Sequence, residues 1–147
     1  MIARKNNAHS NFRISVKGAV FDRSGRFLLA KEHVVKWSLL GGGLNYNEDP
    51  MCGLKREVKE ETGLEITTIS SAPHYFFTCQ KRNKPGYSAY VVYKIELENL
   101  AFTPSDECTE LKFFSSEEAR QVPHLPQVAA FIEQLERAHN THGAPGY

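Results

Sequence analysis

Gly42–Leu64 reads GGLNYNEDPMCGLKREVKEETGL, and the fold and chemistry of the chain follow from it. Gly42 is followed after five residues by Glu48, and after seven more by Arg56-Glu57-Val58-Lys59-Glu60-Glu61-Thr62-Gly63-Leu64. Asp49-Pro50 is a helix start, because Asp can cap and Pro suits the first helical position. Gly63 fits a left-handed stop, with Leu64 as the apolar contact beyond it. The segment between, Pro50 to Thr62, is therefore predicted to be a helix. Met51, Leu54 and Val58 form its apolar stripe. Residues three and four apart share a helix face, so Glu57, Glu60 and Glu61 point the same way. Like charges at those offsets cost about 0.2–0.5 kcal/mol per pair. A cation that offsets them is the simplest reason to carry such a cluster. The bland reading is a solvated glutamate face screened by Lys55 and Lys59.

Outward from this helix the chain reads as strands. Phe12, Ile14, Val16 and Val20 alternate with polar or small residues. Asp22-Arg23-Ser24-Gly25 is a turn, and Phe27–Ala30 a short buried strand, so a first hairpin is expected. Glu32–Lys36 reads as a polar loop. Trp37–Leu40 leads into Gly41-Gly42-Gly43, where a ligand can approach the main chain closely. His74–Gln80 and Tyr87–Leu97 flank a second hairpin loop, Lys81–Gly86. Leu111–Phe114 is a last strand. Ser115 or Ser116 caps a short helix through Arg120. Leu125, Val128, Ala129, Ile132 and Leu135 recur at helical spacing. Residues 1–11 read as an N-terminal arm and 139–147 as a flexible tail of one domain spanning 1–147.

Length and composition narrow the class. A chain of 147 residues suits one core. A formal charge of +1 gives no electrostatic case for nucleic acid or a membrane surface. No apolar run is long enough to span a bilayer. The basic N-terminus has no apolar region after it and is not a secretory signal. Cys52, Cys79 and Cys108 are odd in number and widely spaced, which suggests a reducing, cytoplasmic setting.

Gly42–Leu64 matches the Nudix box, G-x5-E-x7-R-E-U-x-E-E-x-G-U with U aliphatic, at every defined position. The chain thus resembles the Nudix hydrolase superfamily, over 23 residues directly and loosely over 12–138. The resemblance implies an α/β fold, an α/β/α sandwich around a mixed, curved sheet, with a loop–helix–loop that binds Mg²⁺ or Mn²⁺. It implies hydrolysis of a diphosphate linked to another moiety, in a small nucleoside diphosphate derivative such as a (d)NTP or an ADP-linked sugar. Glu57 and Glu61 then correspond to principal metal ligands, Glu60 to a third or water-mediated one, and the Gly41 carbonyl to a further one. Glu107 occupies the region of a later loop carboxylate, with Glu110 as runner-up. The general base stays open among these acids. Arg56 belongs to the catalytic segment, and with Glu48 it resembles a supporting ion pair.

Gly42, Gly43 and Trp37 are candidate substrate contacts, although Trp37 reads more readily as a buried aromatic. Lys81, Arg82 and Lys84 are a basic loop tip that is either phosphate-binding or plain surface. The aromatics Tyr75, Phe76, Phe77, Tyr87, Tyr90 and Tyr93 read mainly as sheet packing. Leu40 and Asn47 stand where many members have a proline and a glycine. The window about 15–18 residues past the box, Cys79–Arg82, lacks the Tyr or Pro of some subgroups. A non-catalytic nucleotide sensor is disfavoured by the complete set of box acids. An RNA 5′-end pyrophosphohydrolase is disfavoured by the near-neutral charge. Many relatives dimerise, and Tyr87–Leu97 or the N-terminal arm would supply a homodimer interface by analogy.

Overall fold

The computed structural model describes residues 12–32, 36–81 and 85–142. Its strands are β1 (Phe12–Ala19), β2 (Phe27–Lys31), β3 (Trp37–Ser38), β4 (Leu40–Gly43), β5 (Ile66–Ile69), β6 (Tyr75–Gln80), β7 (Tyr87–Leu97) and β8 (Glu110–Phe114). Its helices are α1 (Pro50–Thr62), α2 (Ser116–Arg120) and α3 (Pro126–His142). The fold is the expected α/β sandwich. β7 organises the larger, mixed sheet. It runs parallel to β1 on one edge and antiparallel to β6 and β5 on the other, and β4 closes the far side of β1. A smaller antiparallel sheet has the order β3-β2-β8.

The expected first hairpin forms only at its root. Phe21 bridges Phe27, and the Leu28 amide donates to the Val20 carbonyl, but β1 and β2 then part into different sheets. Both edges of β1 are already taken by β4 and β7, so β2 has no ladder to join there. The second hairpin is as expected, with Tyr75 opposite Val92 and Gln80 opposite Tyr87. β5 was not foreseen. Its signal is the β-branched run Ile66-Thr67-Thr68-Ile69, too short to stand out by alternation.

Alternation along β2 divides the core. Phe27 and Leu29 face α3, where Val128, Phe131, Ile132 and Leu135 cover them. Leu28 and Ala30 face α1, where Leu54 and Val58 cover them. Each of these large apolar side chains gains about 1.5–3 kcal/mol on burial. Phe131 centres the first layer, with Phe27 and Tyr75 edge-on at ring distances of 5.3 and 5.2 Å. Ser115 caps α2 in a reciprocal capping box with Glu118. α3 continues to His142, four residues into the expected tail, and 143–147 lie outside the described residues. Among the described residues no helix is long and apolar enough to cross a membrane.

Candidate active site

α1 begins and ends where its sequence says. The Asp49 carboxylate accepts the Cys52 amide at 3.1 Å, and Gly63 closes the helix at φ 73°. With Leu54 and Val58 fully buried beneath it, the helix has a fixed roll. Its glutamate stripe therefore lines a cavity of about 280 Å³, bounded by Glu57, Glu60, Glu61, Glu107 and Glu32. Four of these five acids were expected from sequence. Glu110 is not among them, because it lies on β8 and pairs with Lys31 at 3.7 Å.

Glu32 opens the stretch that the sequence marks as a polar loop. It follows the buried strand β2 directly, accepts a hydrogen bond from Ser38 Oγ at 3.3 Å and faces the cavity. The available signal was its place as the first acid after an inward strand. Among the described residues, no three His, Cys, Asp or Glu side chains are already drawn together as an ion cage.

The guanidinium of Arg56 ties the box together. Nε and Nη2 donate to the two Glu48 oxygens at 2.8 and 2.9 Å, the bidentate geometry expected of a supporting pair. Nη1 donates to Glu57 Oε1 at 3.0 Å and Glu60 Oε2 at 3.2 Å, and Nη2 also reaches the Gly43 carbonyl at 3.3 Å. Arg56 thus links two of the candidate ligands, Glu57 and Glu60, to Glu48. Its side-chain bonds to Glu48 and to Glu57 raise its pKa. In return, Arg56 together with the Asn45 amide holds the Glu48 carboxyl down at about 2.

Small residues let these groups close up. A Cβ on Gly42 would lie 2.5 Å from Glu57 Oε2, and one on Gly43 only 2.4 Å from Arg13 Nη2. A Cβ on Gly53 would meet Glu48 Oε1 at 2.7 Å. The two candidate substrate glycines therefore seat side chains of this protein, one from each side of β4. Asn47, where relatives often carry glycine, adopts φ 62°, a left-handed conformation that asparagine tolerates better than most residues.

Lys17 carries no signal in the sequence that would mark it as a site residue. It is 5% exposed, and its ammonium donates to the Gly41 carbonyl at 2.7 Å and the Leu39 carbonyl at 3.2 Å. Burial lowers its pKa, against the opposing pull of Glu61, Glu32 and Glu57. Glu61 is the counterpart. Burial pushes its carboxyl up to about 8, the negative charges of Glu57 and Glu32 add to the rise, and Lys17 and the Gly41 amide oppose it. The Gly41 carbonyl, a candidate ligand, thus already accepts a hydrogen bond from Lys17.

Trp37 is not an open platform. It is 6% exposed and packs edge-on to Phe114 at 4.8 Å, as the buried-aromatic reading expects. Of the aromatics, Phe77 and Tyr93 are buried, while Phe76 and Tyr87 are exposed. Arg82 and Lys84 lie outside the described residues.

A family model described as NUDIX domain matches residues 11–135. Among solved structures, the chain is similar to the ORF135 protein of E. coli, with 19% identity, a TM-score of 0.73, and 92% of this chain and 96% of that one covered. It is similar to a MutT protein from Methanosarcina mazei Go1, at 25% identity and a TM-score of 0.65, covering 92% and 99%. It is also similar to a MutT NUDIX hydrolase from Burkholderia pseudomallei, at 21% identity and a TM-score of 0.69, covering 84% and 98%. No curated protein matches it by sequence.

Proposed function

The chain belongs to the Nudix family of pyrophosphohydrolases, and from that premise we propose that it hydrolyses a nucleoside diphosphate derivative, a (d)NTP or an ADP-linked sugar, with Mg²⁺ or Mn²⁺ as cofactor. The single observation that carries this reading is the all-carboxylate cavity of Glu32, Glu57, Glu60, Glu61 and Glu107, in which Glu61 is half-buried. The donors fit the ion. Mg²⁺ takes oxygen ligands, keeps several waters and binds through a few carboxylates plus substrate phosphates. Burial, with the charges of Glu57 and Glu32 beside it, pushes Glu61 up to about 8, and a bound cation would favour its ionised form.

In this reading Glu57, Glu60 and Glu61 would hold the ion from α1, and Glu107 and Glu32 line the same cavity. The ion, when bound, neutralises the diphosphate and lowers the pKa of attacking water. Arg56 donates to Glu57, to Glu60 and to the Gly43 carbonyl, which ties these ligands to the glycine loop. Water attacks phosphorus and gives up a proton to one of the site carboxylates as the new P–O bond forms; the bridging P–O bond breaks, and its electron pair leaves on the oxygen of the departing phosphate.

Glu61→Gln tests this. It should reduce Mg²⁺-dependent release of phosphate or pyrophosphate by orders of magnitude, while circular dichroism shows the fold intact. Unchanged turnover in that variant would refute the assignment.

A further inference from the structure

One buried cation stands beside the acid cavity, and the box does not supply it. Lys17 comes from β1, is 5% exposed, and brings its ammonium under the influence of Glu61, Glu32 and Glu57. Its hydrogen bonds among the described residues go to main-chain carbonyls, Gly41 at 2.7 Å and Leu39 at 3.2 Å. A buried ammonium is costly unless oxygens replace its water. An apolar side chain at this place in β1 would carry no such cost, so packing does not account for the lysine.

The two carbonyls lie on either side of Leu40, and the peptide between them holds the Gly41 amide that bonds Glu61. Lys17 therefore pins, from both ends, the stretch of chain that meets Glu61. A carbonyl oxygen has two lone pairs, and the ammonium takes one at Gly41. That is the oxygen the family resemblance offers to an ion, and Mg²⁺ seeks oxygens of this kind. Ammonium and ion are thus drawn to the same acids and the same carbonyl, and like charges repel at this range.

We propose that Lys17 is a positioning residue that holds down the divalent-ion affinity of the substrate-free cavity, by engaging the Gly41 carbonyl and offsetting part of the carboxylate charge. For the identity of the ion this rests on the proposed function; it adds a control on when that ion binds. Carboxylates on their own would keep a divalent ion whether or not substrate were present. With Lys17 among them, the phosphates of the substrate are needed to complete the ion's shell and outweigh the ammonium. The ion then enters and leaves with the substrate.

Lys17→Met keeps much of the length of the side chain, removes its charge and frees the Gly41 carbonyl. Titrated with Mn²⁺ in the absence of nucleotide and followed by electron paramagnetic resonance, it should bind the ion about tenfold or more tightly than the unaltered protein, equivalent to about 1.4 kcal/mol or more. Lys17→Arg keeps the charge and should restore the weaker binding. In turnover, Lys17→Met should reach half its maximal rate at about a tenth of the Mg²⁺. A lysine that only supported the β1–β4 pairing would give the opposite sign, because a loosened site binds less. Unchanged or weaker Mn²⁺ binding by a folded Lys17→Met protein would overturn the proposal. A second measurement needs no variant. In unaltered protein with lysine labelled at Cε, substoichiometric Mn²⁺ should broaden the Lys17 resonance before that of Lys94, which lines a different cavity with His74 and Thr68. Bound Mn²⁺ that broadens Lys94 first would overturn the proposal too. Tighter Mn²⁺ binding by Lys17→Met, with no hydrolysis of any nucleotide by the unaltered protein, would uphold the role of Lys17 and sink the proposed function instead.

Discussion

Replacing Glu61 by Gln keeps the shape of the side chain and removes its titration, so it changes how the metal-free protein responds to pH. An acid whose pKa is about 8 in the folded chain and near its ordinary 4.5 in the unfolded chain keeps its proton longer when folded. Between those values the folded state binds more protons, and stability falls as pH rises. The contribution is fully present below about 4.5 and is lost as pH climbs through about 8. At about 1.36 kcal/mol per pKa unit, the loss between pH 5 and 8 comes to about 3–4 kcal/mol. For a domain of this length that is about 6–16 °C in Tm. Lys17, whose pKa is lowered by burial, acts with the opposite sign and gains stability as pH rises. Urea or thermal unfolding in EDTA at pH 5 and pH 8 gives the comparison. The unaltered protein should lose about 3–4 kcal/mol relative to Glu61→Gln over that interval. Excess Mg²⁺ should erase most of the loss, because binding to the ionised acid releases its proton. Parallel pH profiles for the two proteins would refute the account of Glu61 as an acid raised by desolvation.

Gly42→Ala should lower turnover about 100-fold with little change in secondary structure, because its Cβ would sit 2.5 Å from Glu57 Oε2 and displace a candidate ligand by about an ångström; a steady-state assay beside circular dichroism checks this, and full activity would mean Glu57 has slack. Glu48→Gln should weaken the apparent Mg²⁺ affinity about 10- to 100-fold, as loss of a supporting partner commonly does, since Arg56 then loses its bidentate anchor. The same variant carries an acid signature. Glu48 is held down at about 2, so its contribution to stability is present above about 4.5 and disappears as pH falls through about 2. The Tm gap between the two proteins should be constant near neutrality and close in strong acid.

The limits of α1 were legible because both ends are marked by local chemistry, Asp49 capping the Cys52 amide and Gly63 turning left-handed. The acids at 57, 60 and 61 were legible because helical spacing is rigid. What escaped is non-local. Whether β1 pairs with β2 depends on what else claims its edges, and β4 and β7 lie far along the chain. Glu32 and Lys17 looked like one acid in a polar loop and one cation in a strand. Only the meeting of β1, β2 and α1 turns them into neighbours of the cavity.

Lys17 also shows how a register can be part of a site. β1 pairs with β4 so that Lys17 stands opposite Gly41 and Val16 opposite Gly42. Side chains alternate along a strand, so a slip of one residue would send the lysine to the other face. Val16 belongs to the apolar layer under α1, and a slip would expose it and bury the ammonium there in its place. The hydrophobic pattern of β1 therefore enforces the placement of the cation. The glycine loop matters to this as well. Gly41 takes φ 114°, and a side chain on it would strike the Val16 carbonyl at 2.2 Å, so the close strand approach that brings Lys17 to the Gly41 carbonyl exists only with glycine there. Core packing, loop composition and charge balance at Glu61 are thus one constraint. A change that loosens the β1–β4 pairing should alter the acid site without touching any of its carboxylates.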